Sequence, residues 1–216
     1  MPVMGELIML SDRFADRSRP ESGASSAFFF DVCCPFSYLA AERVERLLGG
    51  VEWIPASAPA LGGAGWGMSE EEKDAAERRA AELRLPLVWP DRFPLYVPAA
   101  QRAAAYAAQV GEGARFALAA ARLAFCGGFD LEDPEILAEA AAAAGIGPSE
   151  CFAAIADSKL DAPLQATAHG LLRQGATRLP AVRVGRRMFA GEEHLAEAAA
   201  MVRVVDAYTG PLAPVG

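Results

Sequence analysis

Residues 27–40, AFFFDVCCPFSYLA, are the part of this 216-residue chain that decides its fold. An apolar run over residues 28–30 leads to a thiol, Cys34, and Pro35 follows it directly. An amphipathic helical pattern then begins. Because proline suits the first helical position, where no backbone N–H is needed, the pattern predicts Cys34 as the N-cap of a helix that follows a buried strand.

The motif Cys34-Pro35-Phe36-Ser37 is C-x-x-S, which differs from the C-x-x-C redox motif in its last residue. The thiolate is the nucleophilic form of cysteine, and the partial positive charge of a helix N-terminus favours it. We therefore expect Cys34 to be a reactive thiol that receives a hydrogen bond from Ser37. The alternative is a buried, inert cysteine, and we expect this of Cys33, which strand alternation points to the opposite face.

Composition and charge argue against several classes of function. The formal charge is −8 and the isoelectric point about 4.9, with no basic stripe, so no nucleic-acid partner is expected. No apolar run approaches the ~20 residues of a membrane span, so no membrane association is expected. Four cysteines in a chain of this length do not indicate a disulfide framework, and the histidine spacing indicates no metal site. We expect a cytoplasmic protein with reduced thiols.

Strand and helix patterns occur at both ends of the chain, with a helical block between them. Residues 27–33 and 51–56 are predicted strands joined by a helix over 36–48, which makes a parallel β-α-β unit. Residues 180–190 are a predicted hairpin, and residues 192–208 a last helix. The middle of the chain is rich in alanine and is interrupted by glycine and proline, as in a group of short helices.

This order predicts the α/β class, as a thioredoxin-like fold with an inserted all-helical subdomain. The predicted divisions are a flexible N-terminal arm, a first thioredoxin-like part, a helical insertion, a second thioredoxin-like part and a C-terminal tail. Their bounds are 1–26, 27–68, 69–174, 175–208 and 209–216.

The chain resembles the DsbA-like branch of the thioredoxin superfamily over roughly residues 27–207. Within that branch it is most similar to the group of 2-hydroxychromene-2-carboxylate isomerases and kappa-class glutathione transferases. The stretches that carry the resemblance are Asp31 to Ala40, Phe93-Pro94 followed by Arg102, Leu179-Pro180, and Phe189 to Leu195.

The resemblance implies roles for several residues around Cys34. Cys34 matches the active residue, which is a cysteine in the DsbA-type oxidoreductases and commonly a serine in the isomerase and kappa groups. Pro180 matches the family's cis proline, which lets the backbone of Leu179 face the thiol and pair with a peptide-like substrate. Pro35 and Phe36, beside the thiol, belong to the same expected binding surface.

Glu192 and Glu193 follow the last predicted strand, where the isomerases hold the amine of glutathione. The resemblance implies that these two carboxylates make this contact by charge. The alternative is that they are acidic residues in the first turn of the last helix, where they favour its dipole.

The chain also departs from the relatives it resembles. Ser37 stands where a DsbA has its resolving cysteine, and Cys34 stands where the isomerases usually have serine. Tyr96 follows the Phe-Pro of the insertion, where the isomerases tend to carry asparagine. These differences weaken the assignment of the hydroxychromene reaction.

Three functions remain open from the sequence. The first is a DsbA-like thiol-disulfide oxidoreductase that works through Cys34 alone, with Cys34 and Ser37 as catalytic residues and an external thiol to resolve the mixed disulfide. The second is a glutathione-dependent isomerase or transferase, which a large apolar cleft would support. The third is a non-catalytic thioredoxin-fold binding protein, which a high thiol pKa would support.

The expected partners are the same for the first two functions. We expect a small thiol or disulfide as substrate, and glutathione or another low-molecular-weight thiol as co-reactant, with no permanently bound cofactor. A homodimer is compatible with the sequence.

Overall fold

The computed structural model describes residues 25–62, 68–93 and 96–209, with side chains described as far as residue 205. All but the last two residues of the predicted arm 1–26 and all but the first of the predicted tail 209–216 lie outside the described residues, as does Pro94. Within the described residues, no helix is long and apolar enough to cross a bilayer.

Four strands form one mixed sheet in the described part of the chain, in the order β2-β1-β3-β4. Their bounds are Ser26–Phe30 (β1), Glu52–Pro55 (β2), Ala181–Val184 (β3) and Arg187–Ala190 (β4). β1 and β2 are parallel, whereas β1–β3 and β3–β4 are antiparallel, with Phe28 opposite both Trp53 and Val182. This is the predicted β-α-β unit followed by a hairpin.

Several helices contact the strands of the sheet, and those between β2 and β3 in the chain form the predicted helical block. The helix bounds are Pro35–Leu48 (α1), Ala58–Gly62 (α2), Glu70–Leu83 (α3), Pro98–Gln109 (α4), Gly113–Phe125 (α5), Pro134–Ala143 (α6), Pro148–Ala156 (α7), Asp161–Arg173 (α8) and Leu195–Thr209 (α9). The strands are contacted by α1, α4, α5 and α9. The predicted thioredoxin-like fold with a helical insertion is therefore confirmed.

The core lies between the sheet, α1 and the alanine-rich helices. Phe28 and Phe30 both pack their rings edge-on against Trp53, at centroid distances of 4.9 and 5.6 Å. Tyr38 of α1 stacks on Phe125 of α5 at 5.7 Å, which joins the two parts of the fold. Apolar burial of this kind is the main stabilising contribution, and aromatic pairs add about 0.5–1.5 kcal/mol each.

Two element bounds differ by more than one residue from the sequence prediction. β1 ends at Phe30 rather than at residue 33, because the Asp31 carboxylate accepts the amide of Cys33 at 2.8 Å and turns the chain. The last helix is preceded by a 3-10 turn over Glu192–His194, so that α9 begins only at Leu195. Both differences lie at the functional end of the sheet.

Candidate active site

Cys34 lies at the N-terminus of α1, as the sequence predicted. Its backbone is extended (φ −98°, ψ 119°), Pro35 is the first helical residue, and the side chain is partly exposed. The Leu179–Pro180 peptide bond is cis, and the Cys34 Sγ lies 3.8 Å from the carbonyl oxygen of Leu179. The motif and the proline loop, 145 residues apart, therefore meet at one place.

A cleft of about 460 Å³ opens beside Cys34. Its walls come from the motif, α2, α3, the proline loop and the 3-10 turn, and they combine apolar with charged side chains. They are formed by Cys34, Phe36, Ala58, Leu61, Gly62, Met68, Glu72, Ala75, Thr177, Arg178, Leu179, Gly191, Glu192 and Glu193. A larger groove of about 540 Å³ runs between β2, α4 and α8 and contains none of the predicted site residues. We therefore take the smaller cleft, which holds the thiol, as the candidate active site.

The ionisation of Cys34 differs from the sequence expectation. Burial and the negative charge of Asp31 raise the pKa of the Cys34 thiol to about 11. The backbone N–H of Ser37, its hydroxyl, and the N–H of Phe36 act in the opposite direction and lower the pKa. The helix N-terminus thus has the expected effect, but desolvation and a neighbouring carboxylate outweigh it. Cys34 is a neutral thiol at pH 7.

Asp31 organises the loop that carries the thiol. Its side chain is 1% exposed, and one carboxylate oxygen accepts the amide of Cys33 at 2.8 Å. Its backbone carbonyl accepts the amide of Cys34 at 3.1 Å, and its backbone amide donates to the Ser37 hydroxyl oxygen at 3.2 Å. Asp31 lies in the stretch that carries the family resemblance, but the sequence did not predict it as a site residue.

Two further donors to Asp31 come from distant parts of the chain. Its Oδ2 accepts the amide of Ala58, at the start of α2, at 3.0 Å. Its Oδ1 accepts the side-chain amide of Gln101, which lies on α4 and is 1% exposed. The only sequence signal for Gln101 is a polar residue on the same helical face as the buried Ala104 and Ala105.

Glu192 lies in the cleft wall, but its carboxylate is occupied. The side chain is 2% exposed and is paired with Arg43 of α1 and Arg79 of α3. Arg79 contacts both oxygens, at 2.5 Å from Nε and 3.2 Å from Nη2. Glu192 therefore connects the 3-10 turn to α1 and α3. Its carboxylate already has two guanidinium partners, with which the amine of a ligand would have to compete. Neither arginine was predicted from the sequence.

The other predicted residues surround the thiol in different environments. Pro35, Ser37, Leu179 and Pro180 are buried, and Phe36 is partly buried. Glu193 is exposed at the mouth of the cleft and is paired with Arg178. Cys33 is buried as expected, although in a turn rather than in a strand, and burial followed by Asp31 raises its pKa well above the ordinary value.

The sheet order, the cis proline and the thiol at a helix N-terminus define a thioredoxin-fold protein with a single cysteine in its motif. The family model for the DSBA-like thioredoxin domain matches residues 27–202. The chain therefore belongs to the DSBA-like thioredoxin domain family, as the resemblance indicated.

Solved structures share this fold at low sequence identity. A 2-hydroxychromene-2-carboxylate isomerase is 18% identical with a TM-score of 0.70, covering 85% of this chain and 97% of its own. A probable DsbA oxidoreductase from Streptomyces coelicolor is 21% identical with a TM-score of 0.66, covering 89% of this chain and 94% of its own. The cytosolic disulfide reductase DsbM from Pseudomonas aeruginosa, solved with GSH, is 19% identical with a TM-score of 0.60, covering 83% and 98%. No curated protein matches the chain significantly.

Proposed function

We propose that this protein is a single-cysteine thiol-disulfide oxidoreductase in which Cys34 exchanges with a small disulfide. The observation that carries the proposal is the partly exposed residue Cys34 in the wall of an open cleft, with its sulfur 3.8 Å from the Leu179 carbonyl oxygen. A sulfur at this position is reachable by an extended substrate that pairs with the backbone beside Pro180.

The exchange needs one thiolate and one disulfide. The Cys34 thiolate attacks one sulfur of the substrate disulfide, forms a mixed disulfide and releases the other half as a thiolate. A second small thiol then attacks the mixed disulfide, leaves with the bound half as a new disulfide and restores Cys34. Ser37 cannot take the place of this second thiol, so a reducing pool such as that of the cytoplasm would have to supply it.

The raised pKa sets the speed of the first step. With a pKa of about 11 for Cys34, the thiolate fraction increases about tenfold with each pH unit between pH 7 and pH 10. We therefore expect slow exchange at neutral pH that accelerates steeply in alkali. The backbone N–H groups of Phe36 and Ser37, which lower the pKa, hold the thiolate once it forms.

The first experiment is incubation with oxidised glutathione between pH 7 and pH 10, followed by intact mass spectrometry and peptide mapping. We expect one glutathione adduct, on Cys34, that is absent in Cys34→Ser. Cys126→Ser is the matched control, because Cys126 is also a partly exposed free cysteine and its loss should leave the adduct unchanged. An adduct that persists in Cys34→Ser would contradict the proposal.

A second variant tests the missing resolving thiol. Ser37→Cys places a sulfur one helical turn after Cys34, at the spacing of a C-x-x-C motif. We expect this variant to shorten the life of the mixed disulfide and to raise turnover in an insulin-reduction assay. If the wild type reduces insulin as fast as Ser37→Cys, a single-thiol mechanism is wrong.

The second candidate function is a glutathione-dependent isomerase or transferase. Two observations favour it: a thiol that is neutral at pH 7, and a cleft with apolar walls from Phe36, Leu61 and Met68. A neutral thiol donates a hydrogen bond to the sulfur of a bound cofactor, which is a role that serine also performs. In this candidate the exposed Glu193, rather than the doubly paired Glu192, is available for the cofactor amine.

Calorimetric titration with reduced glutathione separates the two candidates. In the second candidate Cys34→Ser keeps its affinity within a few-fold and Cys34→Ala loses about tenfold, because only serine retains a donor. In the first candidate Cys34→Ser abolishes the adduct with oxidised glutathione. A protein with neither adduct nor glutathione binding would instead be the non-catalytic binding protein, which the raised pKa of Cys34 also supports.

A further inference from the structure

The Asp31 carboxylate is buried next to the thiol and its described donors are all neutral. They are the amides of Cys33 and Ala58 and the side chain of Gln101. A buried carboxylate without a cationic partner is costly, and a fold retains one only where surrounding structure compensates. Glu192, the other buried carboxylate near the cleft, has two arginine partners.

Gln101 is held in place for this carboxylate. The side chain is 1% exposed, its Nε2 donates to Asp31, and it also lies 3.9 Å from the Cys33 sulfur. Its Oε1 is buried without a hydrogen-bond partner in the described part of the chain. Because an unpaired buried acceptor is unfavourable, the orientation of the amide is explained by its contact with Asp31.

We propose that Asp31 is the positioning residue of this site: its carboxylate fixes the thiol loop to α2 and α4, and its negative charge disfavours ionisation of the Cys34 thiol. The inference deepens the proposed function and rests on it for its biological meaning. Its test stands apart, because alkylation measures ionisation of the thiol and needs no substrate.

The geometry makes the coupling direct. The Asp31 carbonyl accepts the Cys34 amide at 3.1 Å, so only two residues separate the carboxylate from the thiol within one tight turn. Asp31 is buried and Cys34 is only partly exposed, so a like charge acts between them over several ångströms with less screening than in bulk water. A negative Asp31 therefore opposes a negative Cys34, which agrees with the pKa of Cys34, raised first by burial and then by Asp31.

The other titratable groups that face Asp31 leave this coupling in place. Cys33, on the same loop, stays neutral because burial raises its pKa. Before α4, Tyr96 has a pKa that is raised by burial and then by Asp161 and Asp31, so it too is neutral at pH 7. From α4 itself the facing side chain is the uncharged Gln101, while the neighbouring Arg102 is paired with Asp161 at 2.7 Å.

The test is the pH profile of Cys34 alkylation by iodoacetamide, followed between pH 5.5 and pH 10 by peptide mass spectrometry. For the wild type we expect the logarithm of the rate to rise with pH but to flatten near pH 6, where Asp31 ionises. In Asp31→Asn the flattening disappears, and the rate at pH 7 to 8 is on the order of tenfold higher because the opposing charge is gone.

Two further variants keep the proposal open to contradiction. Glu42→Gln removes a carboxylate from α1, the helix that follows Cys34. Because Glu42 is paired with Arg122, this variant should leave the alkylation profile unchanged. Gln101→Met removes a donor that lowers the Asp31 pKa, so the flattening should move to higher pH. This variant decides the matter if Asp31→Asn does not fold. A wild-type profile without flattening, or identical profiles in folded wild type and Asp31→Asn or Gln101→Met, would overturn the proposal.

Discussion

Two buried carboxylates lie near Cys34, and they differ in the charge of their hydrogen-bond partners. Glu192, in the cleft wall, is held by the guanidinium groups of Arg43 and Arg79. Asp31, under the thiol loop, is held by two backbone amides and Gln101. The first is compensated by opposite charge and joins helices, whereas the second keeps an uncompensated charge beside the reactive group. Burial alone therefore does not tell a structural acid from a functional one; its partners do.

The largest expected effect on stability comes from removing the carboxylate of Glu192, which has arginine partners. Glu192→Gln removes the buried carboxylate that pairs with Arg43 and Arg79, although Arg79 keeps its pairing with the exposed Glu82. We expect the free energy of unfolding at pH 7, measured by urea denaturation, to fall by about 2–4 kcal/mol. This lies below the value for a fully buried pair because the arginine side chains are 14% and 31% exposed.

Glu193→Gln is the matched control for this loss. Glu193 is the adjacent residue, and its pairing with Arg178 joins two side chains that are 50% and 59% exposed. Exposed pairs contribute about 0–1 kcal/mol, so this variant should be nearly as stable as the wild type. Equal losses in the two variants would mean that the pairing of Glu192 with the arginines is not what stabilises the cleft wall.

The next largest expected effect is the pH dependence of stability that Asp31 causes, because its described donors carry no positive charge. Burial raises the pKa of Asp31 from 3.8 to about 6. Between these two pH values the folded protein therefore binds a proton that the unfolded chain does not. Asp31 contributes stability that is fully present below about pH 4 and is lost as pH rises through 6. We expect the wild type to gain about 2–3 kcal/mol over Asp31→Asn on acidification from pH 7 to pH 4.

The comparison of wild type and variant isolates this contribution from other carboxylates. Asp161, for example, has a pKa that is lowered by its hydrogen bond to Arg102. Its contribution to the free energy of unfolding therefore decreases on acidification. That loss is common to wild type and Asp31→Asn and cancels in the difference. Parallel stability curves for the two proteins would show that Asp31 ionises in the fold as it does in the unfolded chain.

The features of the site that depend on residues adjacent in the chain could be predicted from the sequence. Cys34 at the helix N-terminus followed from Pro35 and the apolar run before it, and Gly49 ends α1 with a φ of 75° as a glycine there predicts. The meeting of Cys34 with Leu179 followed from resemblance to a family rather than from any local pattern. These parts of the site rest on short-range geometry or on a shared fold.

The ionisation of the thiol could not be predicted in this way. It depends on Asp31, whose partner Gln101 lies 70 residues further along the chain in an alanine-rich helix. The pairing of Arg43 with Glu192 spans 149 residues. Desolvation is a property of the packed structure, so the helix N-terminus was visible in the sequence while the groups that outweigh it were not.

The smallest expected effect separates the donors of α1 from the charge of Asp31. The Ser37 hydroxyl lowers the pKa of Cys34, and its oxygen also accepts the amide of Asp31 at 3.2 Å. In Ser37→Ala the backbone N–H groups remain and only the hydroxyl is lost, so the pKa of Cys34 should rise further. We expect alkylation at pH 8 to slow by about three- to tenfold, which is at most ~1.4 kcal/mol of thiolate stabilisation. Ser57→Ala, which removes another buried serine hydroxyl from the segment between β2 and α2, should leave the rate unchanged. A rate in Ser37→Ala equal to that of the wild type would mean that the N–H groups of Phe36 and Ser37 alone oppose Asp31 at the thiol.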